Sequence, residues 1–121
     1  MKVGVVGSRQ RNTEKDRQEV IDFVNSLPLT DIVVSGGCYG PDRWAEDAAK
    51  ARGMKTMIFR PERISRFSSY FELCNAYYER NRKIIDNSDL VYAFVARSGL
   101  KGGTRNTVNY ALKTGKRVVL K

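Results

Sequence analysis

The sequence predicts an open, parallel α/β sheet with helices on both faces, and three observations lead there. Short β-branched runs alternate along the chain with stretches of helical periodicity. The runs are nearly continuous in valine and isoleucine, as expected of strands covered on both sides. The connections are short, and several are glycine turns joining the end of a run to the start of a helix. Such a β-α-β alternation favours strand order 3-2-1-4-5, with the first and fourth strands at the switch point where ligands of these sheets bind. At 121 residues, one three-layer domain spanning 1–121 is expected, able to bury about two thirds of its unfolded surface.

Each element has its own signal. Lys2 to Val6 is a β-branched run ending at Gly7. The helical pattern from about Thr13 to Ser26 has Thr13 as its cap, acidic Glu14 and Asp16 in its first turn, and Val20, Phe23, Val24 and Leu27 as its buried stripe. Asp31 to Ser35 is the second strand. The next helix starts near Pro41, where a first-turn N–H is dispensable, and Asp42 favours its dipole. Trp44, Ala45, Ala48 and Ala49 form its narrow face, and Gly53 ends it. Met54 to Phe59 is the third strand, followed by the basic segment Arg60 to Arg66. A helix from about Ser69 to Asn87 carries the stripe Tyr70, Leu73, Cys74, Tyr77 and Ile84, interrupted on the same face by Arg80 and Asn81. Asp89 to Val95 is the fourth strand. Thr104 is expected to cap the last helix, which buries Val108, Ala111 and Leu112 and ends at Gly115 before the fifth strand, Lys116 to Leu120.

Composition narrows the chemistry. Lys and Arg number 22 against 13 Asp and Glu, a formal charge of +9, which attracts polyanions or anionic small molecules or else only solvates the surface. There is no histidine, so Ser-His-Asp and Cys-His nucleophilic mechanisms are excluded. Cys38 and Cys74 lack the spacing of a zinc site, and no metal is expected. No run is long enough for a signal peptide or a membrane span, so a cytoplasmic protein without a membrane partner is expected.

Every loop that follows a strand lies at the carboxyl edge of such a sheet. Those loops carry Gly7-Ser8-Arg9, Gly36-Gly37-Cys38-Tyr39-Gly40 before Pro41-Asp42, Arg60 to Arg66, and Gly102-Gly103-Thr104. Glycines at two neighbouring helix starts offer backbone donors to a phosphate, with the threonine hydroxyl beside them. Neither turn is a Walker loop or a GxGxxG fingerprint, and Ser35 stands where an acid would grip an adenosine ribose, so no cofactor of the NAD or ATP kind is expected.

The combination of Gly7-Ser8-Arg9, Gly36 to Asp42, Arg80-Asn81, Ser88-Asp89 and Gly102-Gly103-Thr104 resembles the SLOG superfamily of Rossmann-like nucleotide binders, in particular its YspA-like branch. That superfamily also holds the LOG phosphoribohydrolases and the DNA-processing protein DprA. The resemblance implies a Rossmann-like domain binding a nucleotide or nucleotide-derived small molecule, with a sensor role as the expectation. It also implies a homo-oligomer, most simply a dimer, with Tyr70 to Tyr78 as a contact face or as core.

The ligand-binding candidates are Gly7, Ser8, Arg9, Gly36, Gly37, Cys38, Tyr39, Gly40, Asp42, Arg80, Asn81, Gly102, Gly103 and Thr104. Glu79-Arg80-Asn81 is similar to the LOG E-R-K motif, but Thr107 stands where the LOG pattern has its glutamate. Arg80, Asp42 and Glu79 are therefore the catalytic candidates for an alternative reading as a LOG-type phosphoribohydrolase or glycosyl transferase. A second alternative, single-stranded DNA binding of DprA type, rests on the net charge and on Arg60, Arg63 and Arg66 beside Phe67. Each residue also has a structural alternative: Arg80 as an ion pair, Ser8 and Arg9 as a capped loop, Tyr39 as an exposed aromatic, Cys38 as filler, Asp42 as a helix start and Glu79 as a surface pair.

Overall fold

The computed structural model describes residues 1–38, 40–60 and 69–121, without the side chains of Tyr70, Phe71 and Leu73. Tyr39, Arg63, Arg66 and Phe67 therefore lie outside the described residues. The elements are β1 (Lys2–Gly7), α1 (Glu14–Asn25), β2 (Ile32–Ser35), α2 (Pro41–Ala51), β3 (Lys55–Ile58), α3 (Tyr70–Asp86), β4 (Leu90–Phe94), α4 (Gly102–Lys113) and β5 (Arg117–Leu120). All strand pairs are parallel and the order is β3-β2-β1-β4-β5, the predicted Rossmann-like arrangement.

The pleat divides the core in two. Val5 and Val33 point to one side and pack with Val20 and Val24 of α1 and Ala45 and Ala49 of α2. Val6 and Val34 point to the other and pack with Ile84 and Ile85 of α3 and Val108 and Ala111 of α4. Consecutive valines thus serve opposite layers, and this two-sided burial explains strands that are apolar without a break. Each such side chain contributes about 1.5–3 kcal/mol on burial.

Local chemistry sets the helix ends. Thr13 caps α1 in a full capping box, its hydroxyl accepting from Asp16 N at 3.1 Å while the Asp16 carboxylate accepts from Thr13 N at 3.2 Å. Gly40, at φ 94°, precedes α2 in a backbone conformation open to glycine, which lets the chain turn directly from the β2 loop into Pro41.

Two expectations for α4 need correction. The helix begins at Gly102 after an extended Lys101 that makes no side-chain cap, so Thr104 sits inside the first turn and does not cap it. Leu112 is 60% exposed, because Val108 and Ala111 already face the sheet and the next residue along is rotated by about 100° toward solvent. The stripe of α3 also divides: Ile84 and Ile85 are core, whereas Cys74 and Tyr77 are half-buried beside a cavity at the carboxyl edge.

Candidate functional site

The ends of β1, β2 and β4, the starts of α2 and α4 and the middle of α3 meet at the switch between β1 and β4. Gly7 ends β1 against the first residue of α2: a Cβ there would come within 2.7 Å of both Cβ and Cγ of Pro41. Gly36, just past β2, is equally committed, since a Cβ would fall on the Arg80 guanidinium and 3.0 Å from Asp42 Oδ2. These close approaches bring the two turns together and let a side chain of α3 reach beneath them. Ser35, fully buried, donates its hydroxyl to the Asp42 carbonyl at 2.9 Å and ties the end of β2 to the start of α2.

Arg80 is the centre of this construction. It is buried, with Nη1 donating to Gly36 O at 2.9 Å and to Cys38 Sγ at 3.2 Å, and Nε donating to Asn81 Oδ1 at 2.8 Å. Three of its five N–H groups are spent on the protein, so its first task is to hold the glycine turn. Its guanidinium also lies 5.6 Å from the Tyr77 ring centroid, and that of Arg9 lies 5.7 Å from the same ring. The Tyr77 hydroxyl, ahead of the opposing effect of burial, raises the Arg9 pKa.

Asp42 supplies the opposite sign. It is 7% exposed, and burial pushes its carboxyl up to about 7, against the pull of Arg80, of the Gly36 N–H, of Arg9 and of its own N–H. It takes part in none of the ion pairs among the described residues.

Between these groups lies an open cavity of about 560 Å³, a volume suited to a small organic ligand. Of the sequence candidates, Gly7, Ser8, Arg9, Cys38, Asp42, Arg80, Asn81, Gly102, Gly103 and Thr104 line it. Gly36, Gly37 and Gly40 shape its wall without lining it, and Glu79 is exposed on α3 away from it. Thr107, at the position of the LOG glutamate, lines the cavity but spends its hydroxyl on Gly103 O at 2.9 Å. Asp42 is thus the one carboxyl among the described lining residues.

Sequence reasoning missed Gln10, Cys74, Tyr77, Tyr78 and Lys101, which also line the cavity. Tyr77 was legible in principle: it lies three residues before Arg80 on the same helical face, so an inward Arg80 carries it to the same edge. Tyr77 and Tyr78, expected in a contact face or core, line the cavity wall. Arg60 was expected in a basic patch; its Nη2 instead lies 3.0 and 3.3 Å from the two oxygens of buried Glu46.

A further cluster braces the loop after β1. Buried Arg11 donates from Nη1 to Val95 O at 3.0 Å and to Lys121 O at 3.3 Å, and from Nη2 to Glu19 at 2.6 Å. Its Nε lies 3.0 Å from Asp16 Oδ1, close enough for charge attraction although the N–H is not aimed at the oxygen. Arg11 therefore clips the ends of β4 and β5 to the loop that carries Ser8 and Arg9.

No family model matches the chain, and no curated protein matches it significantly. Solved structures do. DNA processing protein A from Streptococcus pneumoniae superposes with a TM-score of 0.75 at 24% identity, over 98% of this chain and 49% of that one. The same protein from Helicobacter pylori, solved in a study of its single-stranded DNA binding mode, gives a TM-score of 0.75 at 23% identity, over 99% of this chain and 64% of that one. The fold is shared with DNA processing protein A. The chain spans about half the length of the Streptococcus protein, and the likeness carries the architecture only. Among the described residues no helix is long and apolar enough to cross a membrane, and no three His, Cys, Asp or Glu side chains are grouped to hold a metal ion.

Proposed function

We propose that this chain is a SLOG-type domain that binds single-stranded nucleic acid at the carboxyl edge of its sheet, taking one nucleotide into the cavity between α2, α3 and α4. The observation that carries this reading is the make-up of that cavity: Arg9 and Lys101 as cations, the Gly102-Gly103 start of α4 as a row of N–H donors, and Tyr77 and Tyr78 as ring surfaces. A phosphate would sit toward Arg9 and the helix start, and a base toward the tyrosines. The charge of +9 supports a polyanion, and the shared fold with a protein studied for single-stranded DNA binding supports the single strand.

A second reading, a free nucleotide or nucleotide-derived molecule as the ligand, draws on the cavity's size, which fits a mononucleotide. The geometry does not favour LOG-type base release. That chemistry needs a carboxylate beside the reacting sugar to stabilise the cation and activate water, whereas at the LOG glutamate position Thr107 is bonded to Gly103 O, and Glu79 is exposed outside the cavity lining.

Fluorescence anisotropy with a labelled oligo-dT separates the two. Binding that weakens with salt, with a log–log slope near −0.7 per phosphate contacted, and that millimolar nucleoside monophosphate fails to displace, supports the strand. Tight binding of a monophosphate without measurable oligonucleotide binding at low salt would leave the second reading standing.

A further inference from the structure

Asp42 is the odd member of a cationic cavity. A carboxylate more than nine-tenths buried loses much of its hydration, and burial at this cost calls for partners. Its protein neighbours are the N–H groups of Gly36 and of Asp42 itself, with the guanidiniums of Arg80 and Arg9 attracting it from outside ion-pair distance. A carboxylate has about four lone-pair sites, more than these two N–H groups fill, and Asp42 is among the residues that line the cavity. In its ionised form it cannot serve a phosphate, because two anions in one buried space repel. The group that uses it must donate.

Resting on the single-strand reading above, the chemistry of the ligand narrows sharply. The sugar–phosphate backbone of DNA offers acceptors only, so a donor must come from a base edge. Adenine and cytosine each present an exocyclic amine next to a ring acceptor, and thymine presents one ring N–H between two carbonyls. Guanine alone presents two adjacent donors, N1–H and the exocyclic amine, spaced to meet the two oxygens of a carboxylate. We propose that Asp42 reads the base of the nucleotide held in this cavity and selects guanine. Lys101 and the α4 start then hold the phosphate, with Arg9 beside Tyr77 and Asp42 as a second cation of the cavity, and the site becomes bipolar: an anion held at α4 and a donor pair held at α2. Arg80 serves as the positioning residue, since it fixes Gly36 and with it the N–H that orients the carboxyl.

The test is the ratio of affinities for a short all-dT strand carrying one central dG and for the all-dT strand, measured by anisotropy at pH 8, where Asp42 is ionised. A bidentate contact predicts a preference of about tenfold for the dG strand, reduced to within about twofold in Asp42→Asn, whose amide presents one donor and one acceptor. In the unaltered protein the preference should also fall at pH 6, because a protonated carboxyl no longer accepts two hydrogen bonds. Equal affinities for the two strands at pH 8 would overturn the assignment, as would an undiminished preference in Asp42→Asn. An oligo-rU strand gaining as much as the dG strand would overturn it too, by placing the donor on the 2′-hydroxyl. Absence of binding to every strand at low salt would refute the nucleic-acid reading itself and the inference with it.

Discussion

Replacing Asp42 by asparagine should stabilise this protein at pH 8 and leave it almost unchanged near pH 4. In the folded state burial holds the Asp42 proton until about pH 7, whereas in the unfolded chain it is lost near the ordinary 3.8. Between those limits the folded state binds more protons than the unfolded one, so stability falls as pH rises from about 4 to 7 and stays low above it. The gap of roughly three decades in proton affinity is equivalent to about 4 kcal/mol at ~1.36 kcal/mol per decade. Asparagine has the same shape, keeps a carbonyl for the Gly36 N–H, and carries no charge to desolvate. Its gain at pH 8 should approach that figure, on the order of 10 °C in Tm for a domain of this size. Urea denaturation of both proteins at pH 4.5, 6, 7 and 8 measures it directly. A difference between the two that is the same at every pH would refute the reasoning, because it would mean that Asp42 titrates alike folded and unfolded.

Three further outcomes follow from the site. Gly7→Ala should lose about 2–3 kcal/mol by overpacking, since its Cβ meets the Pro41 ring, whereas Gly103→Ala, with nothing within 4 Å, should be neutral or slightly stabilising in the same denaturation assay. Arg80→Met should cost about 2–4 kcal/mol and weaken binding, because it strips the Gly36 carbonyl and the Asn81 amide of a charged donor and leaves Asp42 without its first attraction. Arg9→Ala should leave Tm within about 2 °C and lower the salt slope of oligo-dT binding by about 0.7, the signature of one lost phosphate contact.

The architecture was legible in the residues because its causes are local and periodic. Strands covered on both faces must be apolar on both faces, as Val33-Val34 and Val5-Val6 are, and helices must bury one stripe, as Val20 and Val24 do. Caps and glycines place the boundaries to within a residue or two, Thr13 for α1 and Gly53 and Gly115 beyond α2 and α4. Once the alternation is set, the handedness of crossovers leaves few strand orders, and 3-2-1-4-5 was among them. The same alternation puts the loops carrying Gly7, Arg9 and Gly102 together at the carboxyl edge, where all three line the cavity.

What the residues alone did not decide is which side chains face each other across that edge. Arg80 reads as an anion clamp in sequence, yet three of its donors close on Gly36, Cys38 and Asn81, contacts that span up to 44 positions of chain. Arg11 carries no motif at all, and only the packed structure brings it to Val95 and Lys121. Asp42 reads as a favourable helix start, and only its burial beneath the meeting of two turns turns it into a carboxyl titrating near neutrality. Periodicity and capping are properties of neighbours in the chain, and the sequence carries them. Desolvation and the sharing of donors depend on atoms from distant segments, and the tertiary structure alone supplies those.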